Sequence, residues 1–220
     1  MCLVDDKMLN PELFLSFLAV SFLLAITPGP SNAFLMAQTF SKGKTAGIQT
    51  ALGFAIAGVV HTVLMVLGLS TLLKTNETAY QVVLWLGAGY LFYLGVGTMI
   101  ESFKHTPLSH DEKPHVTYKK EKNVMVQAMM TELLNPKVAM FFIAFIPQFT
   151  DASLDLSITA QLLIFGLLYP ILAFPIDFTY IHLGDKIAGY FRHHPSVQDW
   201  IDRLTGAIFI TLAINLYQSA

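Results

Sequence analysis

The sequence predicts an all-α polytopic membrane protein of six transmembrane helices, built as two inverted three-helix repeats in which helices 1 and 4 are broken at proline. Three observations predict it. Hydrophobic residues make up 54% of the 220 and charged residues 13%, with a mean hydropathy of +0.57, whereas a soluble domain carries about 25% charge. The apolar residues gather into six stretches, and about twenty apolar residues cross a hydrocarbon core of roughly 30 Å. Two of these stretches are interrupted by proline, at Pro28 and Pro136, 108 residues apart and hence about half the chain.

Span one runs from Leu13 to Gln38 and is interrupted by Thr27-Pro28-Gly29-Pro30-Ser31-Asn32. Asp5 and Asp6 precede it where a signal peptide carries positive charge, so it reads as a retained span. Span two, Gly47 to Leu73, offers Gly53, Ala57 and Gly58 as a small packing surface, and span three, Tyr80 to Ile100, offers Gly87, Gly89, Gly95 and Gly97. Span four, Val124 to Gln148, contains the break Asn135-Pro136-Lys137, followed by Phe141, Phe142 and Phe145, which read as packing residues. Span five, Leu156 to Ile181, includes Pro170 and Pro175. Span six, Leu204 to Tyr217, is short and crosses only if it begins nearer Trp200. No stretch alternates as an outer-membrane barrel strand does.

The cations set the orientation. Ten Lys and Arg residues fall in the linkers after spans one, three and five, against Lys7 and Lys74 on the other side. The positive-inside rule then puts both termini outside the cytoplasm. The long linker from Phe103 to Asn123, rich in His and Lys, is cytoplasmic, as a solvated loop or in contact with anionic lipid. A single membrane domain covers 1–220: repeat one spans 11–102, the loop 103–123, and repeat two 124–220.

Other classes find little support. A net charge of −2 and a pI near 6.4 give no basic excess for nucleic acid. Cys2, the one cysteine, has no Cys/His cluster around it and points to no metal. No nucleotide-binding Gly-rich loop and no Ser/His/Asp arrangement is present, so no cofactor is expected.

An odd number of spans per half reverses the second half, which is the inverted repeat of many secondary transporters. Breaking a helix in lipid frees backbone groups that are tolerated only beside protein or a wet cavity, so the two breaks imply a cavity. Asn135 should cap, and Pro136 begin, the second half of span four; Ser31 or Asn32 should cap the matching half of span one. Both half-helix starts suit a carboxylate. Candidate binding residues are therefore Pro28, Gly29, Pro30, Ser31, Asn32, Asn135, Pro136 and Lys137. An ammonium at the depth of Lys137 costs at least about 2.5 kcal/mol, so it must either cap carbonyls exposed by the break in span one or attract a substrate carboxylate. Glu132, His61 and Asp177, in that order, are the candidates for moving protons. Asp177 also reads as an interfacial acid near His182 and Lys186.

The Thr27-Pro28-Gly29-Pro30 break, the segment Gly43 to Gly53, the run Leu86-Gly87-Ala88-Gly89-Tyr90-Leu91-Phe92-Tyr93-Leu94-Gly95, and Asn135-Pro136-Lys137 followed by Pro147-Gln148-Phe149 together resemble the LysE/RhtB family of amino-acid exporters. The resemblance covers Leu13 to Gln148 and is weaker beyond. It implies efflux of amino acids or related small metabolites across the cytoplasmic membrane of a bacterium, driven by the proton gradient through alternating access. Glu132, where many members carry a neutral residue, and the run Gly206 to Ala213 depart from the pattern. The expected partners are a small amino-acid substrate and the lipid bilayer, and the sequence leaves a homodimer open. Two other readings stay open: export of an inorganic ion, and a membrane-embedded enzyme or assembly factor using Lys137 and Glu132 as an acid–base pair.

Overall fold

The computed structural model of the chain describes residues 9–27, 29–75, 77–103 and 123–219. Pro28, Cys2, Lys7 and most of the expected cytoplasmic linker lie outside the described residues. Those described form eight α-helices and no strand. Helix α1 (Pro11–Ile26) starts where Asn10 Oδ1 accepts from Glu12 N and Leu13 N at 3.0 and 3.3 Å, with Pro11 in the first turn. Helix α2 (Pro30–Lys42) again opens on proline. Gly43 alone joins it to α3 (Lys44–Thr75), and its φ of 85° is a conformation that costs a side chain roughly 1–2 kcal/mol.

Helix α4 (Glu77–Phe103) precedes the linker, and α5 (Val124–Leu133) begins where Asn123 Oδ1 accepts from Met125 N at 3.0 Å. After the break come α6 (Pro136–Met140), a π turn (Phe141–Phe145) and a 3-10 turn (Ile146–Phe149). Pro147 cannot donate to a helical ladder, and the segment stops two residues later. Helix α7 (Ile158–His193) is capped by Ser157, and only His194 separates it from α8 (Pro195–Ser219). Before α7, Ser153 donates through Oγ and N to Asp151 Oδ1, and these bonds hold the Asp151 carboxyl below the usual carboxylate range.

Several expected boundaries are corrected. Span two extends at both ends. Helix α7 keeps Pro170 and Pro175 inside it and runs past Ile181 to His193. The helix that carries stretch six begins at Pro195, before Trp200, and has 25 residues where the apolar stretch alone is short. By length and composition, α3 and α7 are each able to cross a bilayer. Helix α1 bends by 52° into α2, and α5 bends by 53° into the segment Pro136–Phe149; counting each bent pair as one span raises the number to four. Among the described residues, α4 contributes the apolar stretch Leu84–Ile100, and α8 carries Asp199, Asp202 and Arg203 near its start.

In lipid, helices associate through close packing rather than through the hydrophobic effect, and the glycines supply it. A Cβ on Gly95 in α4 would stand 2.8 Å from Gly206 O in α8, and one on Gly206 would stand 2.7 Å from Gly95 O. Helix α3 packs on α7 in the same manner: a Cβ on Gly58 would meet Pro170 at 3.1 Å, and one on Gly166 would meet Thr62 at 2.6 Å. Two cores result. The larger is aromatic, with Phe17 on Phe165 at 4.8 Å, Phe141 on Tyr169 at 4.8 Å and Phe17 on Phe149 at 5.5 Å. Phe141, Phe142 and Phe145 are packing residues within it, as expected. The smaller, of Leu35, Ala51, Phe54, Ala128, Tyr180 and Ile181, lies among α2, α3, α5 and α7.

Candidate functional site

The break between α1 and α2 leaves carbonyls without helical donors, and each is answered from elsewhere. Leu24 O and Ile26 O stand four residues before Pro28 and Pro30, which have no N–H to give. Lys137 Nζ donates to Leu24 O at 3.2 Å and to Thr27 O at 3.0 Å. Tyr180 Oη donates to Ile26 O at 3.0 Å, and Asn32 Nδ2 donates to Ala25 O and Thr27 O at 3.1 and 3.3 Å. The end of α1 therefore carries a cation where the helix dipole is negative. Gly29 makes this possible, since a Cβ there would lie 3.0 Å from Lys137 Nζ.

The second break is tied to the first. Asn135 Oδ1 accepts from Lys137 N at 3.0 Å, capping α6 with Pro136 at its first position. Its Nδ2 donates to Ser31 Oγ at 2.7 Å, and Ser31 Oγ donates in turn to Glu132 Oε2. His61 Nε2 lies 3.4 Å from the carbonyl oxygen of Glu132, with its ring stacked on Phe142 at 5.1 Å. Asn135, Ser31 and Glu132 are all buried.

These groups surround a cavity of about 30 Å³, room for about two waters. Ser31 and Asn32 reach it from α2, Glu132 from α5, Lys137 from α6, and Tyr169 and Asp177 from α7. Leu24, Val138 and Tyr169 belong to the aromatic core, while Ala51 and Phe54 belong to the smaller one, so the cavity lies between the two cores. Ligand pockets are usually about ten times larger. As it stands the cavity is too small to hold an amino acid.

The LysE type translocator model matches residues 22–220. The chain belongs to this family. Curated relatives of this LysE-type chain include an uncharacterized membrane protein of Pseudomonas aeruginosa, 29% identical over 90% of this chain and 91% of its own, and a second of Bacillus subtilis, 26% identical over 91% and 96%. A leucine efflux protein of Klebsiella pneumoniae is 25% identical over 92% of this chain and 93% of its own. No solved structure matches at a significant level. The translocator is thus a multi-pass membrane protein of bacterial type, in a family of transport proteins.

Of the residues that the sequence singles out in this translocator, Ser31, Asn32, Glu132, Lys137 and Asp177 share the cavity wall, with Gly29, Asn135 and Pro136 immediately behind. Pro30 starts α2 and is exposed, and His61 stands behind Glu132 rather than on the wall. The expected capping of α2 by Ser31 or Asn32 is corrected: the N-cap is Gly29, with no side-chain hydrogen bond, and both residues lie in the first turn. Asp177, which the sequence offers both as a proton carrier and as an interfacial acid, lines the cavity. Tyr169 and Tyr180 are added by the fold alone. The missing donor of Pro30 signals that some side chain must reach Ile26 O, but not which one.

Proposed function

We propose that this translocator is a secondary exporter of amino acids or closely related small metabolites across the cytoplasmic membrane, with six spans, both termini outside, and alternating access around the cavity between the two breaks. The observation that carries the reading is the joining of both proline breaks at one buried polar site, through Lys137 on the end of α1 and Asn135 on Ser31. Irregular backbone at membrane depth is tolerated where it serves a cavity.

Two further observations support the inverted repeat. The register that carries Pro28 onto Pro136 also carries Gly58 onto Gly166 and Thr62 onto Pro170. Those four residues meet as Gly58 with Pro170 and Thr62 with Gly166, so exchanging the halves turns one contact into the other. The reciprocal approach of Gly95 and Gly206 packs α4 on α8 as corresponding helices of the two halves, at a spacing of 111 residues, three longer than that register.

A substrate carboxylate would meet the first turn of α2, which has no side-chain cap, beside the ammonium of Lys137. The two cores would act as seals on either side. The thinner one, behind which Gln38 is fully buried with neither amide atom paired, is the side more easily opened. Glu132, held by Ser31 on the cavity wall, is the first candidate for carrying protons inward as substrate leaves. Metabolite profiling of cells and medium on overproduction tests the reading. The expected result is an amino acid raised in the medium by the wild type and not by Lys137→Ala, and an unchanged medium would overturn it.

A further inference from the structure

We propose that Asp177 is the subsite for the α-ammonium group of the substrate, so that the cavity selects zwitterionic α-amino acids by both of their charges. The inference rests on the export reading and names the substrate class of the same cavity.

Partnering singles out Asp177 among the three charged residues on the wall. Lys137 is committed to Leu24 O and Thr27 O, and Glu132 accepts from Ser31, which is itself fed by Asn135. Asp177 is only 9% exposed, lines the same cavity, and receives no hydrogen bond among the described residues. A buried carboxyl without a donor is costly to keep, and such groups persist at sites that a ligand completes. Its place on α7 also sets it apart from the first turn of α2 and from Lys137, where a carboxylate would sit. The cavity therefore receives positive character from α2 and α6 and an unpaired carboxyl from α7. A free α-amino acid carries the complementary pair on one carbon. Ala51, Ala55, Ala173 and Phe54 form an apolar remainder of the wall, which suits an uncharged side chain.

The test uses the full chain in proteoliposomes and the amino acid that gives the largest counterflow among the protein amino acids. Its α-hydroxy acid, which replaces the ammonium by a hydroxyl, and its amide, which removes the carboxylate, serve as competitors; for leucine these are 2-hydroxy-4-methylpentanoate and leucinamide. In the wild type the hydroxy acid should compete at least about 10-fold more weakly than the amino acid, as expected for the loss of a charge-assisted bond. In Asp177→Asn the amino acid should weaken to within about 3-fold of the hydroxy acid, whose own competition stays unchanged. Asp177→Glu, which keeps the carboxylate, should retain the preference. Equal competition by the hydroxy acid in the wild type, or a preference that survives in Asp177→Asn, would overturn the proposal while leaving export of amino acids standing. Absence of counterflow with any amino acid would instead overturn the export reading beneath it.

Discussion

Replacing Lys137 by methionine separates what the ammonium does in the fold from what it does for a substrate. Methionine approximates the length of lysine and removes both bonds to the end of α1. Thr27 O keeps Asn32 Nδ2 at 3.3 Å, so the carbonyl of Leu24, whose helical donor is missing at Pro28, is the group left alone. An unsatisfied buried acceptor costs about 1–3 kcal/mol. Part of this returns because a buried cation is itself expensive, leaving a net loss of about 1–2 kcal/mol. At roughly 2–4 °C per kcal/mol for a chain of this size, thermal unfolding in detergent should come about 2–8 °C earlier. Pro28→Ala supplies the N–H that a continued helix would give to Leu24 O, so in that background Lys137→Met should cost about 1 kcal/mol less, read as a drop smaller by about 2–4 °C. Equal drops in the two backgrounds would refute the idea that the ammonium stands in for the proline's missing donor.

Further outcomes follow from the same geometry. Pro28→Ala combined with Pro136→Ala should keep a well-folded protein by size exclusion and abolish efflux, because closing both breaks removes the site; full efflux would make the prolines incidental kinks. Gly95→Ala, Gly206→Ala and Gly166→Ala should each lower thermal stability by about 1–3 kcal/mol, whereas Gly68→Ala and Gly89→Ala, with open space at the added methyl, should not. Gln38→Leu, which removes an unpaired buried amide, should raise stability by about 1–3 kcal/mol and slow transport by favouring the closed state; a faster variant would contradict the gating role. An impermeant thiol reagent applied to intact cells should label Cys2 and Ser153→Cys and spare Ser109→Cys, and labelling at 109 would reverse the orientation.

The parts legible in the sequence are those set by local chemistry. Asn135 and Pro136 start a helix because an Asn side chain and a missing N–H suit that position anywhere, and Lys137 has to find acceptors because its depth allows no escape to water. The glycines of spans two and three announce close packing, which the fold bears out at Gly53, Gly58, Gly87 and Gly95 but not at Gly89 and Gly97, where an added Cβ meets open space, and only the fold pairs Gly58 with Pro170 and Gly95 with Gly206. What the sequence hides is non-local. Asp177 reads as either a proton carrier or an interfacial acid because its distance along span five says nothing of what faces it, and only the fold puts it on the cavity with Glu132 and Lys137. Tyr180 stands 154 residues from the carbonyl it satisfies, and no periodicity in the chain records that meeting.

The central claim is that the cavity joining the two breaks carries free amino acids. Inside-out vesicles containing the purified chain test it most directly, because export then reads as uptake of labelled amino acids under an imposed proton gradient. The account predicts uptake of at least one free amino acid by the wild type, collapse of that uptake when the gradient is dissipated, and none in the variant carrying both Pro28→Ala and Pro136→Ala. Folded wild-type protein that takes up no amino acid, or takes one up equally well with both breaks closed, would contradict it.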